Sequence, residues 1–239
     1  MAIALFTCLA DNYAVLLRDE ATGMVALVDA PAAEPVMTEL EKRGWGLDLI
    51  LITHGHHDHI AGVPALVARS GAKVIAPALA ADMLPKADRF VREGDRFSIG
   101  EIAVEVWDTP GHCLDHISLH LPAEEMIFVG DTMFTMGCGR IFNLPPDLLF
   151  ASLRRIGSLP ETTRIFSGHG YTLSNARFAA ATEPENGSIR ARLRMIEAMR
   201  AGGLPTVPTT VREERATNVF LRAKDLAEFA NRREAKNRF

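Results

Sequence analysis

The sequence predicts an α/β protein: two packed sheets with helices outside, followed by a small all-helical tail. Strand-type runs give way to helical periodicity twice before residue 166, which is the order expected of two sheet-and-helix layers packed on each other. Several strand-type runs also end in glycine followed by histidine or aspartate. From about Tyr171 onward the alternation stops, and only the 3.6-residue helical period remains.

In order, Ile3 to Cys8, Tyr13 to Leu17 and Val25 to Val28 read as strands, separated by turns at Ala10-Asp11-Asn12 and Ala21-Thr22-Gly23. Pro31 opens a helix that Gly44 stops. Leu49-Ile50-Leu51-Ile52 is a buried strand, followed by Thr53-His54-Gly55-His56-His57-Asp58-His59 and then a helix to Arg69. Lys73 to Ala76 is a strand parallel to the previous one, because a helix crosses between them, and Ala78 to Met83 is a brief helical turn. Strands return between Arg89 and Trp107, at Ile117 to Leu121 and at Met126 to Val129. Leu148 to Leu159 is helical, and Ile165-Phe166 is the last strand. Leu173 to Thr182, Ser188 to Ala201 and Lys224 to Lys236 form the helical tail, interrupted by the linker from Gly202 to Pro208. The expected domains are 1–169 and 170–239.

Composition narrows the function. A chain of 239 residues with 48% hydrophobic residues and a net charge of −4 has an ordinary globular composition and offers no basic stripe for nucleic acid. No apolar run approaches the roughly 20 residues that span a bilayer. The apolar N-terminus lacks a basic leader, so a cytoplasmic location is expected. The three cysteines form no C-x-x-C pair and point to thiols, not to a disulfide framework or a thiolate zinc site.

The eight histidines are not an excess, but four of them crowd into residues 54–59. His54 and His56, two apart in an extended segment, point the same way and can share one ion, while Asp58 and His59 aim elsewhere and imply a second. His112, Asp131 and His169 each follow a glycine at a strand end. Such a histidine alone is more often structural than a ligand, and it is the cluster at residues 54–59 that turns the reading toward metal. His120, inside a strand with no glycine turn, reads as structural. Imidazole with carboxylate suits zinc, iron or manganese. Asp131, the lone carboxylate that follows a strand-end glycine between the last two histidine sites, is the natural bridge between two ions. Two ions sharing a water supply hydroxide at neutral pH for attack on a carbonyl carbon or phosphorus.

Thr53 to His59 resembles the T-H-x-H-x-D-H motif of the metallo-β-lactamase superfamily, whose fold is an αββα sandwich. The spacing of His112, Asp131 and His169 matches that superfamily's later motifs. Within it, the chain resembles the glyoxalase II (hydroxyacylglutathione hydrolase) family end to end. The resemblance runs through Asp11-Asn12-Tyr13, Thr109-Pro110-Gly111-His112, Gly130 to Phe134, Gly137-Cys138-Gly139-Arg140, Gly168 to Thr172 and Glu214 to Arg222.

The resemblance implies two divalent ions, zinc first, with iron or manganese as alternatives. His54, His56 and His112 would hold one, Asp58, His59 and His169 the other, and Asp131 would bridge them. Asp58 and Asp131 would also position the attacking hydroxide, Asp29 would support the histidine loop from behind, and His57 would fall at a variable position and not ligate. The implied substrate is an S-(2-hydroxyacyl)glutathione, typically S-lactoylglutathione. Its glutathione portion would be held by Arg140, Phe142, Tyr171, Arg233 and Lys236, cations there matching the tripeptide's carboxylates. A monomer is expected, with no nucleic acid or membrane partner.

Arg140 and Phe142 stand where the family often has lysine and tyrosine, and Cys113 and Asp115 replace its usual threonine and glycine. Asp115 is expected to stay off the metals. The run Arg190, Arg192, Arg194 reads as an exposed helix face. The alternative enzyme on the same scaffold is a glutathione persulfide dioxygenase with one iron, which would not need the full second ligand set. A catalytically silent metal-binding scaffold is the remaining alternative.

Overall fold

The structure is a computed structural model describing residues 1–239. The chain divides into two compact units, Met1–Asp108 with Asp115–Glu124, and Thr109–Leu114 with Glu125–Phe239. The strands form two six-stranded sheets and one two-stranded ladder, the two mixed sheets with helices that the sequence predicts.

The first unit opens with β1 (Ala2–Cys8), β2 (Asn12–Arg18) and β3 (Val25–Val28), an antiparallel meander. Helix α1 (Ala33–Arg43) follows, ended by Gly44 in the left-handed conformation. Next come β4 (Leu49–Leu51), α2 (His57–Ile60), α3 (Val63–Ser70), β5 (Lys73–Pro77) and β6 (Arg89–Val91). β3, β4, β5 and β6 run parallel, giving the sheet order β1-β2-β3-β4-β5-β6.

Leu16, Leu27, Ile50 and Val74 project from one face of this sheet into a core with Val36 and Leu40 of α1 and Leu66 of α3. Val15, Leu17, Val28 and Leu51 on the other face are buried too, which is why β2, β3 and β4 read as nearly continuous apolar runs. Each such side chain contributes about 1.5–3 kcal/mol of burial. The unit ends with an antiparallel meander of β7 (Arg96–Ile99), β8 (Ile102–Asp108) and β9 (Ile117–Leu121).

The second unit contains β10 (Met126–Phe128), the hairpin β11 (Met133–Phe134) with β12 (Gly137–Cys138), α4 (Pro146–Ile156) and β13 (Arg164–Phe166). These are followed by α5 (Thr172–Thr182), α6 (Gly187–Ala201), β14 (Thr209–Thr210), α7 (Val211–Thr217) and α8 (Leu226–Asn237). β10 and β13 are parallel neighbours, and β14 pairs antiparallel with β13. α4 buries Leu149, Leu153 and Ile156 along one stripe. Thr210 and Glu213 close a capping box at the start of α7, a cap worth about 1 kcal/mol.

Four sequence expectations need correction. The single helix expected after the histidines is two, α2 and α3, because Ala61 and Gly62 part them. Strand pairing does not stop at Tyr171, since β14 returns to β13. The hairpin β11–β12 and helix α7 carry too few residues for periodicity to reveal them. Arg192 is not on an exposed face: it is 8% exposed and pairs at 2.9 Å with Glu214, which is fully buried. Arg192 faces Glu214 because α7 packs on α6, a contact that spacing within α6 cannot disclose.

Candidate metal centre

In the first unit the donors follow β4. β3 and β4 run side by side, so Asp29, just past β3, lies against Thr53. Its Oδ1 accepts the Thr53 N–H at 2.9 Å, and its Oδ2 accepts from the Thr53 hydroxyl at 2.9 Å and from His59 Nδ1 at 2.9 Å. A carboxylate here only accepts, so His59 carries its proton on Nδ1 and Nε2 keeps a lone pair. The Thr53 hydroxyl spends its proton on Asp29 and so accepts from His54 Nδ1 at 3.0 Å, which leaves His54 Nε2 as a lone pair too. That nitrogen lies 3.1 Å from His56 Nδ1. Asp29 therefore sets the tautomers of two histidines.

Asp58 Oδ2 accepts from Asn12 Nδ2 at 3.0 Å and lies 3.8 Å from His59 Nε2. Asp115 Oδ2 accepts the Gly55 N–H at 2.6 Å. His57 is exposed and joins no donor group. His120 is buried against Trp107, with ring centroids 4.8 Å apart, and lies 3.5 Å from Glu105.

In the second unit the donors sit at turns tied to one another. The Gly168 N–H reaches the Gly130 carbonyl at 2.8 Å, so the ends of the parallel pair β10 and β13 present Asp131 and His169 together. Thr132 Oγ1 donates to the Thr109 carbonyl at 3.0 Å, joining the turn before His112. Gly111 has φ 135 and would drive a Cβ to 2.4 Å from the Leu149 backbone, a place only glycine fills. His112 Nδ1 donates to the Arg140 carbonyl at 2.7 Å, so its Nε2 is also a lone pair. Asp131 Oδ2 lies 3.5 Å from His112 Nε2 and 3.4 Å from His169 Nε2. Ligand atoms around one tetrahedral ion with bonds of roughly 2.0–2.2 Å stand roughly 3.3–3.6 Å apart, so each of these two pairs is spaced as two donors on one ion, with Asp131 common to both pairs.

The donors fall into two groups, His54, His56, Asp58 and His59 in the first unit and His112, Asp131 and His169 in the second. All seven expected donors occur in these groups. Two residues beside them are not singled out by spacing. His116, 1% exposed, stacks on His54 with ring centroids 4.7 Å apart, and Asn12 clamps Asp58. Asn12 lies in the Asp11-Asn12-Tyr13 motif, whereas His116 carries no sequence signal distinguishing it from a structural histidine.

The five residues expected around glutathione all lie in the second unit. Arg140, Phe142 and Tyr171 are exposed. Phe142 packs edge-on to His112 at 5.3 Å with the Arg140 guanidinium 5.5 Å from its ring, and Tyr171 stacks on His169 at 4.8 Å. Lys236 is half-buried and donates to the Ser174 hydroxyl at 2.6 Å. Burial, and after it the Arg233 charge, pushes its ammonium down to about 8. Arg233 is only 8% exposed and is turned onto backbone carbonyls.

Residues 11–169 match the metallo-β-lactamase superfamily, and residues 170–239 match the hydroxyacylglutathione hydrolase C-terminus. The hydroxyacylglutathione hydrolase of Methylobacterium sp. (strain 4-46) is 46% identical over 252 residues, spanning 99% of both chains. That of Ruegeria pomeroyi is 46% identical over 225 residues, covering 94% of this chain and 88% of the relative. Among solved structures, ETHE1 from Myxococcus xanthus superposes with a TM-score of 0.77 at 28% identity, over 99% of this chain and 92% of that one. TTHA1623 in a di-iron-bound form gives a TM-score of 0.60 at 29% identity, over 71% and 92%. The chain belongs to the hydroxyacylglutathione hydrolase (glyoxalase II) family of the metallo-β-lactamase superfamily.

Proposed function

We propose that this protein hydrolyses S-(2-hydroxyacyl)glutathione, S-lactoylglutathione first among such thioesters, to glutathione and a 2-hydroxy acid, using two divalent ions. The observation that carries the reading is a full set of seven donors on a chain that matches hydroxyacylglutathione hydrolases along 99% of its length. His54, His56 and His112 are assigned to one ion, and Asp58, His59 and His169 to the other. Asp131, whose Oδ2 faces both His112 and His169, is assigned to both. Zinc suits this nitrogen-rich set, and iron and manganese suit it as well. A relative in a di-iron-bound form supports two ions on this scaffold.

When bound, such ions supply an acidified water and Lewis acidity toward a carbonyl oxygen. The chain's own residues arrange the rest. Asp29, Thr53 and the Arg140 carbonyl keep the ring protons of His59, His54 and His112 on Nδ1. Asn12 fixes the Asp58 carboxylate, which with Asp131 orients the nucleophile. Arg140 and Lys236 offer cations to the tripeptide's carboxylates, while Phe142 and Tyr171 offer ring faces to its backbone. Arg233 stands behind them, bonded to the turn that carries Arg140. Residues 170–239 are thus assigned to substrate binding. The departing thiolate, whose thiol has a pKa of about 8.5, needs no dedicated acid.

The test compares the metal-replete protein on S-lactoylglutathione with the same acyl group on a shorter thiol such as N-acetylcysteamine. Faster turnover of the glutathione thioester, lost on chelation, is the expected result. Equal rates on both thioesters would remove the glutathione assignment.

A further inference from the structure

We propose that Arg233, on the C-terminal helix, is a positioning residue for His112, acting through the backbone of Cys138, Gly139 and Arg140. The proposal rests on the reading of His112 as a metal ligand and gives Arg233 a task in addition to the glutathione contact that the family resemblance implies for it. Arg233 is 8% exposed; its two terminal nitrogens are engaged within the protein, while its buried Nε has no partner. Nη1 donates to the Cys138 carbonyl at 3.0 Å and to the Gly139 carbonyl at 3.3 Å, Nη2 donates to Asn237 Oδ1 at 3.0 Å, and the group lies 5.1 Å from the Phe220 ring. Nη1 also lies 3.7 Å from Cys138 Sγ, and no carboxylate is among these acceptors. A charged donor on two successive carbonyls fixes the tilt of two peptide planes at once.

The next carbonyl along, that of Arg140, is the one that accepts from His112 Nδ1 at 2.7 Å. The turn has no slack on its other side. Gly139 donates to the Thr132 carbonyl at 3.2 Å, and a Cβ on Gly139 would lie 2.1 Å from the Asp131 carbonyl and 3.1 Å from His112 Cβ. The backbone at 138–140 is therefore held between the α8 guanidinium and the segments carrying two proposed ligands, His112 and Asp131. Removing the guanidinium releases two carbonyls, lets the turn relax outward and detaches the acceptor that keeps the His112 proton on Nδ1. Partners that orient a metal-bound histidine in this way are worth about 10–100-fold in metal affinity.

The experiment dialyses the zinc-loaded holoenzyme against graded concentrations of chelator and measures retained zinc, comparing wild type with Arg233→Met, Arg233→Lys and His112→Ala. Circular dichroism confirms the fold, and Arg233→Gln replaces the methionine variant if that one does not fold. The expected result is zinc loss at about tenfold lower chelator concentration in Arg233→Met, with most of the retention restored in Arg233→Lys, whose ammonium reaches one carbonyl. kcat should fall as well, whereas a cation lost from a substrate carboxylate raises KM alone. Wild-type zinc retention in Arg233→Met, with retention impaired in His112→Ala, would overturn the coupling alone. Wild-type retention in His112→Ala would overturn the ligand reading and the coupling with it.

Discussion

The Asp115 carboxylate accepts the backbone N–H of Gly55 at 2.6 Å, and Gly55 lies between His54 and His56. A charged acceptor on that peptide holds the two flanking rings at one spacing, and a carboxylate–amide bond of this kind is worth about 1.5–3 kcal/mol. Asp115→Ala is expected to lower zinc affinity about tenfold, and Asp115→Asn, which keeps an oxygen acceptor, to lower it less. Chelator competition measures both. Unchanged affinity in Asp115→Ala would show that the loop needs no such anchor.

Asp131 presents one oxygen to two histidines, 3.5 Å from His112 Nε2 and 3.4 Å from His169 Nε2. Asp131→Ala is therefore expected to lose at least one ion by elemental analysis and to abolish turnover. A variant with the wild-type ion content and near-wild-type turnover would exclude the bridging assignment.

Lys236 titrates where pH profiles are readily measured, because burial, and after it the Arg233 charge, pushes its ammonium down to about 8. Below that pH the side chain is a cation able to pair with a substrate carboxylate, and above it the side chain becomes a neutral amine. kcat/KM for the glutathione thioester, which reports the free enzyme, should fall as pH rises through about 8. In Lys236→Arg the guanidinium stays charged, so this alkaline limb should disappear. A limb that persists unchanged in Lys236→Arg would assign it to another group.

Glu214 is fully buried, accepts the Met136 N–H at 2.8 Å, and pairs with Arg192 at 2.9 Å. Glu214→Ala leaves the Arg192 charge without its buried partner, which is expected to cost about 3–5 kcal/mol in denaturant unfolding. Replacing both residues by apolar ones should cost less than the single change. A loss under about 1 kcal/mol for Glu214→Ala would mean that water reaches this pair.

The contrast between Glu214 and His54 shows what a sequence discloses and what it conceals. The seven donors are legible because ions accept few residue types, and because strands ending in glycine place those types at sheet edges. Asp29 is legible only through resemblance to a family. Its service to both Thr53 and His59 depends on β3 lying beside β4, a pairing made across more than twenty residues of chain. Arg192 reads as exposed because its burial is decided by Glu214 on another helix, and side-chain spacing within one helix carries no trace of that contact. Arg233 is marked as functional by resemblance, yet the direction its guanidinium faces follows from the position of the hairpin β11–β12, whose two-residue strands have no period to read. The parallel core of the first unit, with its long apolar runs, is the most legible part of the fold.

The most direct test of the central claim follows one zinc- or iron-loaded preparation in two assays: loss of the thioester of S-lactoylglutathione, and oxygen consumption with glutathione persulfide. Two ions per chain with rapid thioester loss and no oxygen uptake is the predicted result. One iron per chain with oxygen uptake and no thioester loss would contradict it and assign the site to persulfide oxidation.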